Sequence, residues 1–279
     1  MIKIIIDTIE DQRIEEFHKK RERQLKHMLE PAPGYFITES PLVILRALKA
    51  GYEPVKILRE AGQICNEEQD VFEFIEEYER QNNAEISVFE AEENQFRILT
   101  GFLLTRGMLC LMKRRKERNL GEILGRDYHR IVVLDDVENP TNIGAIVRSA
   151  AALSIDLILL TKGCSDPLYR RASRVSMGCI FQIPWAVGST EEIYSELMKN
   201  GYKTVAMALR EDSVTIDDNE LNSEKKLAII MGNEGYGLPQ ETIDKCDYTA
   251  LIPMREGIDS LNVAAASAVS FWQLRYRGK

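Results

Sequence analysis

An α/β protein built from two sheet-and-helix domains is what this sequence predicts, and three observations support that expectation. Short apolar runs that read as strands alternate with helical patterns along the whole chain. The stretch KRRKERNLGEILGRDYHR, ending at Arg130, interrupts this alternation with many charges, glycines and few core-forming residues. At 279 residues the chain is long enough for two ordinary domains, each able to bury its own core.

The elements follow in order. Residues 1–30 read as a basic arm, a short strand IKIII and then a charged helix, closed by the turn-forming PAPG at Pro31 to Gly34. YFIT reads as a strand feeding the helix LVILRALKA, with Ser40 placed to cap it and Gly51 to stop it. VKILRE is the next strand. In QDVFEFIEEYERQNN, Val71, Phe74, Ile75 and Tyr78 recur at helical spacing, so one face is apolar and the other acidic. The strand ISVFE, a short helix around Gln95 to Leu99 and the apolar run GMLCLM complete a small sheet covered by helices. The expected boundaries are an arm at 1–30, a first domain at 31–117, a linker at 118–130 and a second domain at 131–279. Within that last domain IVVLDDV, LILL, FQIP, KTVAMAL, LAIIM and TALIP read as strands.

Composition narrows the function. With 44% hydrophobic and 29% charged residues the chain is globular, and no apolar run has the length to cross a bilayer. The N-terminus lacks a signal-peptide pattern, so a cytoplasmic protein is expected. Five scattered cysteines without a CxxC pair support neither disulfides nor zinc, and no metal is expected. The three histidines lie outside every motif, against a Ser-His-Asp hydrolase. A net charge of −8 argues against indiscriminate coating of nucleic acid. Positive charge nevertheless collects at 13–26, in MKRRKER with Lys113, Arg114, Arg115 and Lys116, and around Arg170, Arg171 and Arg174. Such runs are either solvated faces or one RNA-binding side of a segregated surface.

Three separated segments pass from an apolar strand directly into Asn, Glu, Ser, Arg and Gly residues. In IVVLDDVENPTNIGAIVRSAAAL, Thr141 or Asn142 stands near a helix N-terminus, and Arg148 lies two turns in among apolar residues. Asn142 reads equally as a cap, and Arg148 as paired with Asp135, Asp136 or Glu138. LAIIMGNEGYGLPQETI holds Glu234 among glycines, matches neither GxGxxG nor a P-loop, and permits close backbone approach to a flat ligand. LIPMREGIDSLNVAAASAV places Ser260 as an ordinary helix cap or as a site residue, with Asn262 just behind it.

Taken together and in this order, the three segments resemble the signatures of the SpoU/TrmH branch of the SPOUT RNA methyltransferases. The resemblance implies a C-terminal trefoil-knotted catalytic domain, S-adenosylmethionine as cofactor and transfer of its methyl group to a ribose 2′-hydroxyl of RNA. It implies Asn142, Arg148, Glu234, Ser260 and Asn262 as catalytic residues. It also implies a cofactor site at Ala208, Leu209, Met231, Gly232, Asn233, Gly235, Ile252, Pro253, Met254 and Leu261. The arginine matching Arg148 has the central role in the family, and a guanidinium that grips a phosphate and stabilises a developing alkoxide asks less of it than service as a base. Glu234 is left as proton acceptor or positioner.

The first domain resembles, in layout, the L30e-like substrate-binding domain of the same family. With the basic runs flanking an RNA enzyme, RNA contacts are expected at Lys113, Arg114, Arg115, Lys116, Arg170 and Arg171. Ribosomal RNA is the preferred substrate, with tRNA or a catalytically silent RNA-binding assembly factor as alternatives. The family also implies a homodimer. The helix from Val263 to Leu274 suits one, with Ala264, Ala265, Ala266 and Ala268 allowing close approach and Phe271 and Trp272 offering apolar area, unless these pack inside one subunit.

Overall fold

The computed structural model describes residues 1–62, 64–100, 107–257 and 260–278, with the side chains of 97–100 excepted, and divides the chain into two compact units. The first unit holds Met1–Lys116 and Leu168–Phe181; the second holds Glu117–Pro167 and Gln182–Lys279.

The first unit is a mixed sheet. Its strands are β1 (Ile2–Ile6), β2 (Tyr35–Glu39), β3 (Pro54–Glu60), β4 (Ser87–Ala91) and β5 (Met108–Lys113), in the order β1-β4-β3-β5-β2. β1 and β3 flank β4 in parallel, whereas β5 runs antiparallel to β3 and β2. The acidic amphipathic pattern forms the helix Asn66–Asn82, burying Val71, Phe72 and Ile75. The N-terminal arm departs from expectation because it belongs to this core. β1 is a sheet strand, and Ile14, Phe17 and Leu25, spaced between charges, are buried beneath two short helices, Glu15–His18 and Glu22–Lys26. Ser40 has φ 79° and makes no capping hydrogen bond, so the helix Pro41–Lys49 starts on Pro41 without the expected side-chain cap.

The second unit is a parallel sheet of β6 (Arg130–Leu134), β7 (Leu157–Thr161), β8 (Trp185–Gly188), β9 (Lys203–Met207), β10 (Val214–Thr215), β11 (Leu227–Met231) and β12 (Tyr248–Leu251), ordered β10-β12-β9-β11-β6-β7-β8. Every pairing is parallel. A parallel sheet is covered on both faces, which is why β6, β7 and β11 read as unbroken apolar runs and are buried at every position.

Three expectations are corrected here. The residues read as a linker form the helix Leu120–Leu124, whose Ile123 and Leu124 enter the second core. FQIP is not a strand. Phe181 ends a short 3-10 turn and packs against Phe36 and Tyr52 in the first unit, and the strand begins after Pro184, at Trp185. Finally, Leu168–Phe181 lies in sequence between β7 and β8 yet folds with the first unit, where its helix Arg170–Val175 packs on β2. The physical anchor is Glu39, 1% exposed, which Arg174 meets at 2.6 Å and Arg170 at 3.1 Å. A carboxylate buried at a strand end requires such neutralisation.

Candidate active site

All strands of the second unit point the same way, so their C-terminal ends share one edge of the sheet. β12, β9, β11 and β6 are neighbours there, which sets Ile252–Met254, Ala208 and Leu209, Gly232 and Asn233, and Asp135 and Asp136 in a row. β7 and β8 extend from β6 to one side, while β11, β9, β12 and β10 lie on the other. Ligands of open parallel sheets bind at such a reversal of strand order, outside the carboxyl ends.

Glu234 is the hub of this edge. Its Oε1 accepts the Asn139 backbone N–H at 3.1 Å and the Asn142 side-chain amide at 2.9 Å, and its Oε2 accepts the Glu138 N–H at 3.3 Å. Desolvation pushes the Glu234 carboxyl up. The bonds from Asn142 and from the backbone of Glu234, Asn139 and Glu138 outweigh it and hold the group below its ordinary value. The carboxylate therefore staples the first turn of the helix Pro140–Ala152 to the loop after β11. Asn142 is 8% exposed and passes the link on, because its Oδ1 accepts the Asn262 amide at 3.3 Å. One hydrogen-bonded line thus joins the three motif segments.

The caps differ from the sequence reading. Asn139, followed by proline at the first helical position, caps the helix through Thr141 N–H at 2.9 Å, which frees Asn142 to face Glu234. Asn262, and not Ser260, caps the last helix, Val263–Leu274, accepting from Ala264 N–H at 2.9 Å. Its two amide ends thereby do separate work. Ser260 stands exposed just outside that helix.

The loop between β11 and the helix Gln240–Asp244 is held from within. Asn233 and Gly237 exchange backbone hydrogen bonds at 3.1 and 3.0 Å, and the Asn233 side chain accepts from Gly235 N–H at 2.7 Å while donating to the Asp136 carbonyl at 2.8 Å. Gly232 has no room for a side chain: a Cβ there would stand 2.6 Å from the Gly237 carbonyl carbon. Gly237 has φ 72°, a conformation glycine takes without strain. Asp136 takes φ 54°, locked by its bonds to and from the Thr161 hydroxyl at 2.9 and 2.8 Å. Burial, and then the neighbouring Asp136, push the Asp135 carboxyl up. Asn139 and Asp136 were not singled out in the sequence as site residues; the Asn-Pro pair was the available signal for the first.

Arg148 is exposed and makes no ion pair with any described residue, so the pairing with Asp135, Asp136 or Glu138 left open above is not formed. Met231 is buried, whereas Leu209, just beyond β9, is 64% exposed and Leu261, beside the Asn262 cap of the last helix, is 41% exposed. Gly235 and Pro253 are exposed, and Ile252 and Met254 half-buried. Most of the expected RNA-binding cations are engaged inside the first unit. Lys113 pairs with Glu53 at 2.8 Å, and Arg114 donates to the Tyr35 carbonyl at 3.1 Å beside Phe36. Arg115 donates to the Ala50 carbonyl at 2.6 Å and lies 4.6 Å over the Tyr52 ring, and Arg170 holds Glu39. Lys116 and Arg171 are exposed. Phe271, expected at a subunit interface, is fully buried within the unit, leaving Val269 and Trp272 as the large exposed side chains of that helix.

Comparison with known proteins agrees with this architecture. An uncharacterised tRNA/rRNA methyltransferase of Mycobacterium bovis is 29% identical over 268 residues, covering 95% of this chain and 88% of that protein. The 23S rRNA (guanosine(2553)-2′-O)-methyltransferase RlmP of Bacillus subtilis is 30% identical over 146 residues, 52% of this chain and 58% of its own. The AdoMet-bound rRNA methyltransferase structure from Sinorhizobium meliloti superposes with a TM-score of 0.81 at 24% identity, over 98% of this chain and 97% of that one. An RNA 2′-O ribose methyltransferase structure gives 0.74 at 24% identity, over 98% of each chain. At that identity the likeness is one of fold. The profile of the SpoU rRNA methylase family matches residues 129–272, more than half of the chain and all three motif segments, and the protein belongs to that family.

Proposed function

We propose that the protein transfers the methyl group of S-adenosylmethionine to a ribose 2′-hydroxyl of RNA, with ribosomal RNA as the substrate. The single observation that carries this reading is the Glu234–Asn142–Asn262 line, which brings the three family segments to the open edge of a parallel sheet. The edge suits the cofactor. Exposed glycine backbone at 235 allows close approach of a flat ring, and exposed Leu209 and Leu261 offer apolar surface for one to cover. Bound there, S-adenosylmethionine supplies an electrophilic methyl group.

The chain's own task is to orient the ribose and manage its proton. Arg148, exposed and without a carboxylate partner among the described residues, is available to grip a phosphate and stabilise the developing alkoxide. A guanidinium does not give up its proton in a protein, which disfavours service as the base. Glu234 acts as positioner, since all its hydrogen bonds favour the charged form and weaken it as a proton acceptor. Asn142 and Asn262 hold the geometry, and Ser260, unused as a cap, faces the ribose. The trefoil knot and a cytoplasmic setting belong to the same reading. So does a homodimer through the last helix, where Ala265, Val269 and Trp272 form one exposed stripe at helical spacing. Among the described residues no helix is long and apolar enough to cross a membrane.

Mapping of ribose methylation across all RNA in a deletion strain tests the proposal. Loss of one 2′-O-methyl group from ribosomal RNA is expected. Loss from tRNA alone would reassign the substrate, and an unchanged methylation map would remove the enzymatic reading.

A further inference from the structure

Tyr236 has no part in the hydrogen-bonded line just described, and its ring is 62% exposed. An aromatic side chain of that size is ordinarily used for packing, yet the loop that presents it is held by backbone and by Asn233, which accepts from Gly235 N–H at 2.7 Å and from Tyr236 N–H at 3.4 Å. The ring therefore stands on a closed, hydrogen-bonded turn, two residues from Glu234. Burial of part of the side chain, then the charges of Asp136, Glu138 and Asp135 and a hydrogen bond to the Asp136 side chain, hold its phenol above the ordinary value. The Glu138 carboxylate has no partner among the described residues and is exposed.

What can lie on this ring follows from the charge. A phosphate is repelled by the carboxylate of Asp136, which the phenol meets, and by that of the exposed Glu138. A nucleobase is not, because its π-face is neutral and its edges carry N–H donors that carboxylates accept. Methylation of a 2′-hydroxyl also requires the target nucleoside to be accessible, and unstacked bases in RNA sites are held on aromatic side chains.

We propose that Tyr236 is the stacking platform for the base of the target nucleoside, placed by the Asn233–Gly237 turn beside the ribose site. This inference rests on the methyltransferase reading above. Stacking in the bound complex strengthens ground state and transition state alike, so it appears in KM for RNA and not in kcat.

The test uses the full chain, S-adenosylmethionine and ribosomal RNA purified from a strain lacking this gene. Tyr236→Ala is expected to raise KM for RNA by about five- to a hundredfold with kcat little changed. Tyr236→Leu is expected to stay impaired, and Tyr236→Phe to recover most of the loss. Calorimetric affinity for S-adenosylmethionine should match the wild type in all three. An unchanged KM in Tyr236→Ala overturns the inference. So does Tyr236→Phe as impaired as Tyr236→Ala, or weakened cofactor binding in Tyr236→Ala, because either assigns the residue to holding the loop. Wild-type protein that methylates no RNA is a separate failure, of the methyltransferase reading, and removes this inference with it.

Discussion

Asn142 and Glu234, 92 residues apart in sequence, are joined by a 2.9 Å hydrogen bond in which the amide donates and the carboxylate accepts. With Oε1 also taking the Asn139 N–H and Oε2 the Glu138 N–H, the glutamate is fully committed to holding the start of a helix. This relationship orders the rest of the site.

Glu234→Gln should lower kcat by up to about a hundredfold while leaving the form of the pH–rate profile intact, as expected when orientation and not a titrating base is lost. The substitution turns one acceptor toward a donor, so stability should fall at neutral pH. Because the folded carboxyl sits below its unfolded value, its contribution is present above the unfolded pKa, roughly 4.3, and lost as pH falls through the folded value. The stability gap between wild type and variant should therefore close on acidification. Urea denaturation at several pH values reads this out; a gap that widens in acid contradicts it.

Arg148→Ala should reduce turnover by about a hundred- to a thousandfold with cofactor affinity nearly unchanged. Stability should shift by no more than about 0.5 kcal/mol, because the side chain is exposed and makes no ion pair with any described residue. Arg148→Lys should rescue poorly, since a point charge cannot reproduce a planar fork. Steady-state kinetics paired with a thermal melt checks both halves, and an unfolded Arg148→Ala would show a structural role instead.

S-adenosylmethionine should bind in the presence of a chelator through the exits of β9, β11 and β12. Gly232→Ala should abolish that binding, because its Cβ would stand within 2.8 Å of the Gly237 carbonyl group. Titration calorimetry decides it; heat that vanishes on chelation would point to a metal.

The protein should be dimeric at micromolar concentration, with Trp272→Glu shifting it toward monomer, since Trp272 is 58% exposed and Phe271 is already buried. Light scattering measures the mass. A monomer that retains full activity would remove the dimer from the mechanism.

Glu39→Ala should destabilise the first unit by about 3 kcal/mol, because it leaves Arg170 and Arg174 without the carboxylate that binds both. Urea unfolding followed by tyrosine fluorescence measures the loss. Stability within about 0.5 kcal/mol of wild type would show that the cluster contributes nothing net.

The alternation of strands and helices and the position of chemistry at strand exits were legible in the residues alone. Both are local: unbroken apolar runs such as LAIIM report a covered parallel strand, and glycine or Asn-Pro beside them reports a turn. The order of the motifs also carried the family. Which polar group meets which depended on the packed fold. Periodicity marks a face of an element, but a side chain's partner depends on what packs opposite it. Hence Asn139 and Asn262 took the caps expected of other residues, Arg114 and Arg115 turned back onto the first unit, and Phe271 went inward while its neighbour Trp272 stayed out. The segment 168–181 makes the same point across a greater distance. Its arginines look like a basic patch in the sequence, and two of them, Arg170 and Arg174, neutralise the distant buried Glu39 because burial leaves that carboxylate no solvent to do so.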